Sequence, residues 1–375
     1  MFRRIIFWSH LVVGLIVGVV VFVLCLTGAL LSFERQTVDW AESSARALPP
    51  AGVTQRMSHD ELVASVSRST GIHFGNVRYC NDPKMPARLG FGKGEGVLAN
   101  AYTGEVLGRG ATALRGFYQF VRRLHTNLAM TASWMGAGGS IADACNVGFV
   151  VLLLTGSILW WPRKWNWRAL RNSVAIRFDV RGKQRDWNWH NALGLWALLP
   201  LIIMAGTGLV LSYRPVDQGV REFAKRHAAP AVVPAVVPAG VEAPKALTPA
   251  GWPEIFASVE RAMPAWRSMN LAANPQPHMQ IAITAGTEGE PHKRATLTMD
   301  RDSATITQVK RWENLEPGDR ARAIMRTAHS GELGGFIGQI VAGLGCLAGV
   351  VLVYTGFALS WRRFFGGKVA NPVEP

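Results

Sequence analysis

The chain has 375 residues, 49% of them hydrophobic, and a formal net charge of +15. Its apolar residues are gathered in blocks too long for an ordinary buried core, which excludes a purely soluble multidomain protein. The basic residues are dispersed, with no basic helix or aromatic-interleaved patch, and this argues against nucleic acid as a partner.

The first predicted span runs from Ile5 to Phe33 behind Arg3 and Arg4. It is longer than the apolar part of a signal peptide and no small-residue cleavage site follows, so it reads as a retained anchor. In the segment after it, Ser58 to Thr70 has helical periodicity with Ser58 as its cap, and Val97 to Leu107 suggests two short strands around a Thr-Gly-Glu turn. The second span, Ile141 to Trp161, leads into a basic run of Arg163, Lys164, Arg168, Arg171, Arg177, Arg181, Lys183 and Arg185. Leu193 to Tyr213 is the third span. Ala228 to Pro249, rich in Ala, Val and Pro, reads as an extended linker, Pro249 to Met263 as a helix, and Ala295 to Arg311 as strand, turn, strand. Phe336 to Trp361 is the fourth span, followed by Arg362, Arg363 and Lys368.

Basic residues crowd the segments that begin the first span and follow the second and fourth, so these are expected on the cytoplasmic side of a bacterial inner membrane, with both termini inside. The long segments, Glu34 to about Ser140 and Arg214 to about Gly335, are then periplasmic. The expected organisation is a first span (1–33), a soluble domain (34–115), a lead-in with the second span (116–162), a cytoplasmic loop (163–188), a third span (189–213), a second soluble domain with its Pro-rich linker (214–328), a fourth span (329–362) and a tail (363–375). Cys25, Cys145 and Cys346 fall inside spans and Cys80 stands alone, so a disulfide framework is excluded. No Cys-x-x-Cys-His occurs, which excludes covalently attached haem.

Two stretches repeat without a gap. Placing Ser9 to Phe33 over Trp189 to Tyr213 superposes His10 on His190, Gly14 on Gly194, Thr27-Gly28 on Thr207-Gly208 and Phe33 on Tyr213. The other spans match through Thr155-Gly156 on Thr355-Gly356 and Trp161 on Trp361, and upstream Arg122-Arg123-Leu-His125 resembles Arg326-Thr-Ala-His329 once four residues are skipped. The predicted unit is span, soluble domain, span, occurring twice in the same membrane orientation. His10 and His190 then lie level near the cytoplasmic margin, and His125 and His329 level toward the periplasm.

An ionisable side chain at membrane depth is costly without a partner. Neutral imidazole ligates iron well, and two histidines on facing helices at one depth suit a flat haem in an apolar bundle. His10 with His190, and His125 with His329, are therefore expected as axial ligands, the competing reading being histidines that hydrogen-bond headgroups or backbone. A continuous helix would carry His125 far beyond the bilayer core, so the outer pair requires a bend, expected at Gly136-Ala-Gly138-Gly139 and at Gly331 to Gly335. Arg122, Arg123 and Arg326 suit either haem propionates or lipid headgroups. The Thr-Gly pairs suit close helix packing or approach to a macrocycle. Trp160, Trp161, Trp165, Trp167, Trp187 and Trp189 read mostly as interfacial belt, with an electron-relay or quinone contact as the alternative. His59, His73, His227, His278 and His292 show no ligand-like spacing and are expected at the surface or in caps.

Leu124-His125, the run Thr155-Gly156-Ser-Ile-Leu-Trp160-Trp161-Pro162-Arg163, His190-Asn191-Ala-Leu-Gly194-Leu-Trp196 and Ala101-Tyr102-Thr103-Gly104-Glu105-Val106-Leu107 together resemble the PepSY-associated transmembrane family, in its ferrioxamine B reductase type of siderophore reductase. The resemblance covers nearly the whole chain. It implies a mainly α membrane protein, a four-helix bundle with two periplasmic α+β PepSY-like domains. It also implies two haem b, one held by His10 and His190 and one by His125 and His329, reducing a periplasmic ferric siderophore with electrons from inside. The second domain departs from the pattern, with Asp302-Ser303-Ala304 where a turn glycine is usual. No nucleotide or flavin motif is present, so the donor is expected to be quinol or a separate cytoplasmic reductase. The alternatives are an iron or siderophore carrier, against which the lack of mid-span charges and broken helices counts, and a protein-binding regulator, which leaves the matched histidines unexplained.

Overall fold

The computed structural model describes residues 1–53, 55–92, 95–162, 171, 173–227, 252–273, 278–287, 289–300 and 303–366, without the side chains of Trp252, Pro253 and His278. The predicted linker Ala228 to Pro249, Asp302, Lys368 and the basic and tryptophan residues at 163–170 lie outside the described residues. Along the chain the elements are α1 (Phe2–Leu31), α2 (Glu34–Ala41), α3 (His59–Thr70), β1 (Asn76–Cys80), β2 (Ala87–Phe91), β3 (Glu95–Ala99), β4 (Val106–Gly108), α4 (Thr112–Asn127), α5 (Met135–Trp160), α6 (Gly182–Ser212), α7 (Arg214–His227), α8 (Trp252–Ala262), β5 (Ser268–Ala272), β6 (His278–Thr284), β7 (Arg294–Asp300), β8 (Thr305–Lys310), α9 (Pro317–His329) and α10 (Gly335–Phe364). They divide into one unit of Met1–Phe33, Phe120–Gln218 and Ala328–Pro375, and a second of Glu34–Gln119 and Gly219–Thr327.

Among the described residues, four helices of the first unit are long and apolar enough to cross a membrane. The 30 residues of α1 span roughly 45 Å at 1.5 Å per residue, more than the hydrocarbon core of a bilayer. Helices α1, α5, α6 and α10 pack as a ring in which α1 and α6 each touch both α5 and α10. Val17, Val21, Cys25, Leu153, Ala197, Leu201 and Ala205 fill its centre. Its outer face is apolar instead of polar, with Ile16, Val19, Leu199 and Leu344 each more than 60% exposed, which is what a lipid-facing surface requires.

The entries to α5 and α10 turn differently. Before α10, Gly331 and Gly335 adopt positive φ of 74° and 61°, at the expected break. Before α5, the turn falls at Leu128 and Ala129, each at φ 53°, and Gly136, Gly138 and Gly139 lie inside the helix, contrary to the expected bend there. The reason is steric. A β-carbon on Gly138 would overlap the Asn127 carbonyl at the end of α4, and one on Gly338 would overlap the Gly331 carbonyl, so these glycines let the incoming chain lie against the long helix.

In the second unit, the soluble segments do not close as two separate domains at 34–115 and 214–328. They share one antiparallel sheet, ordered β4-β3-β2-β1-β5-β6-β7-β8, in which β1 pairs with β5 through Val77 and Leu271. Each half places one helix, α3 or α8, before four strands. A single core joins Leu62, Val66, Val77 and Leu89 from one half to Ile255, Leu271, Ile281 and Leu297 from the other. Pairing β1 with β5 joins the halves over that common core and removes two open edges.

Among the described residues, the expected helices and strands of this unit form. Ser58 caps α3 in a reciprocal box with Glu61. The turn between β3 and β4 carries Gly104 at φ 72°, and Ala304 takes the corresponding left-handed position at φ 50° before β8. Asp300 stabilises that second turn by accepting from the Ser303 N–H and hydroxyl, each at 2.9 Å.

Candidate functional site

The four matched histidines meet as two pairs, both in the helical unit. The rings of His10 on α1 and His190 on α6 have centres 6.4 Å apart and planes at 89°, and those of His125 on α4 and His329 on α9 have centres 6.2 Å apart and planes at 61°. His10 and Thr27 are separated by 17 residues of one helix, about 25 Å, so the pairs occupy opposite ends of the bundle.

Each histidine is held through Nδ1 by the threonine of a Thr-Gly pair on a neighbouring helix. Thr155 lies 2.9 Å from His10, Thr355 2.9 Å from His190, Thr27 2.8 Å from His125 and Thr207 3.3 Å from His329. The four hydroxyls spend their own protons within their helices, on the carbonyls of Val151 (2.7 Å), Val351 (2.8 Å), Val23 (2.6 Å) and Ile203 (2.6 Å). Their oxygens therefore accept from the rings, which makes Nδ1 the protonated nitrogen. His329 shows the same independently, because its Nδ1 also donates to the Met204 carbonyl at 2.9 Å and a carbonyl only accepts. The glycines make room beside the rings: a β-carbon on Gly156 or Gly208 would stand 3.3 or 3.2 Å from Cε1 of His10 or His329.

Such a tautomer leaves Nε2 with its lone pair, and this nitrogen makes no hydrogen bond to any described residue. Two imidazoles on opposite sides of one metal ion, each bonded at about 2 Å, have ring centres about 6 Å apart, as both pairs do. Among the described residues no third His, Cys, Asp or Glu joins either pair. A protein-only zinc or iron site needs three or four such ligands, whereas a haem brings its own four equatorial nitrogens and needs only two axial ones. The donor set thus fits a haem at each pair. The threonines occupy the position of outer partners that fix tautomer and ring orientation.

Arg122 and Arg123 are exposed on α4 and Arg326 on α9, within three residues of the outer histidines in sequence. Among the tryptophans, Trp189 and the additional Trp196 donate their Nε1–H to the carbonyls of Arg177 and Val174, each at 3.0 Å, which ties down the segment before α6. Of the remaining histidines, His73, His227 and His292 are exposed as expected. His59 corrects the expectation. It is fully buried, bonded at Nδ1 to the Tyr79 hydroxyl (3.0 Å) and at Nε2 to the carbonyls of Ala272 and Ala273, and so links the two halves of the sheet.

The sequence placed the histidines but not the hydrogen-bonding role of Thr27, Thr155, Thr207 and Thr355. The signal was present in the equal His10-to-Thr27 and His190-to-Thr207 spacings, yet each threonine serves a histidine on another helix. A further cluster gave no warning: Asp186 on α6 is wholly buried between Arg185 (2.8 Å) and Arg362 of α10 (2.7 Å).

A family model described as the PepSY-associated TM region matches residues 7–363. No curated protein matches the chain.

Proposed function

The chain belongs to the family of the PepSY-associated TM region, a family of membrane proteins, and on that footing we propose that it is a di-haem b reductase of the bacterial inner membrane. In this reading it passes electrons from a cytoplasmic reductase or from quinol to a ferric siderophore in the periplasm. The observation that carries it is the pair of facing imidazoles, repeated at the two ends of one apolar bundle with matching threonine partners.

His10 and His190 would hold an inner haem and His125 and His329 an outer one, and bound there the iron supplies reversible one-electron chemistry. The residues of the chain do the rest. The threonines hold each ring by Nδ1 and leave its Nε2 lone pair for the iron, and the Val17, Val21, Leu153 and Leu201 core between the pairs excludes water. Arg122, Arg123 and Arg326 suit the propionates of the outer group. The basic ends at Arg3, Arg4, Arg362 and Arg363 orient the inner pair to the cytoplasm by the positive-inside rule. The matched spans are explained by a tandem duplication, and the unit formed by the soluble segments faces the periplasm. Reduction frees the metal because ferrous ion binds hard oxygen chelators more weakly than ferric ion does.

Purified protein should be red and contain two haem b per chain by pyridine haemochrome, and dithionite-reduced protein should be reoxidised by a ferric siderophore with release of ferrous iron. Colourless protein from iron-replete cells overturns the reading.

A further inference from the structure

We propose that Arg362 receives the edge carboxylates of the inner haem from the cytoplasmic side, with Asp186 as the buried counter-charge that sets the net charge there. This rests on the reading that His10 and His190 hold a haem, and adds to it a charged contact that neither the repeat nor the family match assigns.

The argument begins from helical phase. Asp186 precedes His190 by four residues on α6, and Arg362 follows Thr355, the partner of His190, by seven on α10. Four and seven residues are one and two turns, so both side chains stand on the faces that carry the inner site, displaced toward the cytoplasmic end. Side chains on a helix lean toward its N-terminus, which carries the Arg362 guanidinium back toward the level of the site. It reaches Asp186, about 6 Å along α6 from His190.

The charges do not balance. Asp186 has no exposed surface and meets Arg185 at 2.8 Å and Arg362 at 2.7 Å, two cations around one carboxylate. Nη1 of Arg362 is buried, and its contact with Asp186 lacks hydrogen-bond alignment. No hydrogen bond from its remaining N–H groups reaches a described residue. A planar donor group beside a net positive charge is the receptor that a carboxylate uses.

The device is also one-sided. Continued three residues upstream, the repeat sets Ile6 opposite Asp186, and one residue beyond the match of Trp161 with Trp361, Pro162 falls opposite Arg362. The two halves thus agree in His, Thr and Gly and differ here by a complementary ion pair, as expected if the inner group is bound in one orientation about the approximate two-fold axis.

The test is a spectroelectrochemical titration of the full chain in nanodiscs. Arg362→Gln removes a positive charge and should lower the ferrous-to-ferric ratio of the inner haem, read at the parent's midpoint, by roughly tenfold. Asp186→Asn removes a negative charge and should raise it. Arg362→Lys keeps the charge but not the planar donor pair and should fall between the parent and Arg362→Gln, and the outer haem should be unchanged in all three, which controls for folding. Shifts of the same sign in Arg362→Gln and Asp186→Asn, the outcome expected of a mere interhelical lock, overturn the proposal, as does no shift. An effect that follows anionic phospholipid content and not the substitutions assigns Arg362 to a lipid headgroup instead. Wild-type protein without haem overturns the underlying reading, a result distinct from these.

Discussion

Thr155 Oγ1 lies 2.9 Å from His10 Nδ1 while giving its own proton to the Val151 carbonyl at 2.7 Å, so the threonine dictates which nitrogen of the histidine is protonated. Thr155→Val keeps the shape and removes the acceptor. Apparent affinity for the inner haem should fall about 10- to 100-fold, with Thr155→Ser close to wild type, measured by haem titration into apoprotein. Equal affinity in the valine variant would show that the hydroxyl does not matter to the site.

The pairs are separable. His10→Ala or His190→Ala should remove one haem, and His125→Ala or His329→Ala the other, leaving about half the pyridine haemochrome signal in each case. Loss of both haems from a single substitution would contradict the pairing set by the 6.4 and 6.2 Å ring separations.

Gly138 is a packing position for the outer site. Any β-carbon there meets the backbone carbonyl of Asn127, which has no flexible end to move aside. Gly138→Ala should displace the end of α4 with His125, lower stability by about 1 to 3 kcal/mol and selectively deplete the outer haem. Gly136→Ala, where nothing lies within 4 Å, is the control.

Glu42 follows α2 and binds Arg88 of β2 (3.0 Å), Arg115 of α4 (2.8 Å) and the Ala111 N–H (3.0 Å). Burial alone would push its carboxyl up. The Arg115 and Ala111 hydrogen bonds, with the charges of Arg115 and Arg88, outweigh that and hold it below the usual carboxylate range. With the folded value below the unfolded one of about 4.3, the stabilisation is fully present above the unfolded value and is lost as pH falls through the folded value. Glu42→Gln should cost about 2 kcal/mol at neutral pH and lose this part of the acid sensitivity in denaturation curves.

His59 joins the halves of the sheet through Tyr79 and the Ala272 and Ala273 carbonyls. His59→Ala leaves a cavity and unpaired buried groups, and should cost about 3 kcal/mol with no change in the absorption bands of either haem. A spectral change would mean that His59 belongs to the redox site.

Much of the helical unit was legible in the sequence because a membrane imposes simple rules. A slab of fixed thickness demands long apolar helices, and the ungapped repeat sets His10 level with His190, whereas His125 aligns with His329 only when four residues are skipped and the chain bends. Local signals were also sufficient for the Ser58 cap, the strands around Gly104 and the break at Gly331, where the residues themselves set the backbone. What crosses between elements had no such marker. Thr155 reaching His10, Asp186 reaching Arg362, and β1 pairing with β5 are choices among many surfaces of similar chemistry, decided by which helices and edges become neighbours. The turn at Leu128 and Ala129 and the burial of His59 have the same origin: neither residue type prefers what it does there, and the surrounding packing imposes it. The sequence by itself determined which histidines and threonines repeat and in what spacing, and the tertiary structure alone decided what each one touches, because a repeat is written in residue order whereas contact follows from the packing of the whole bundle.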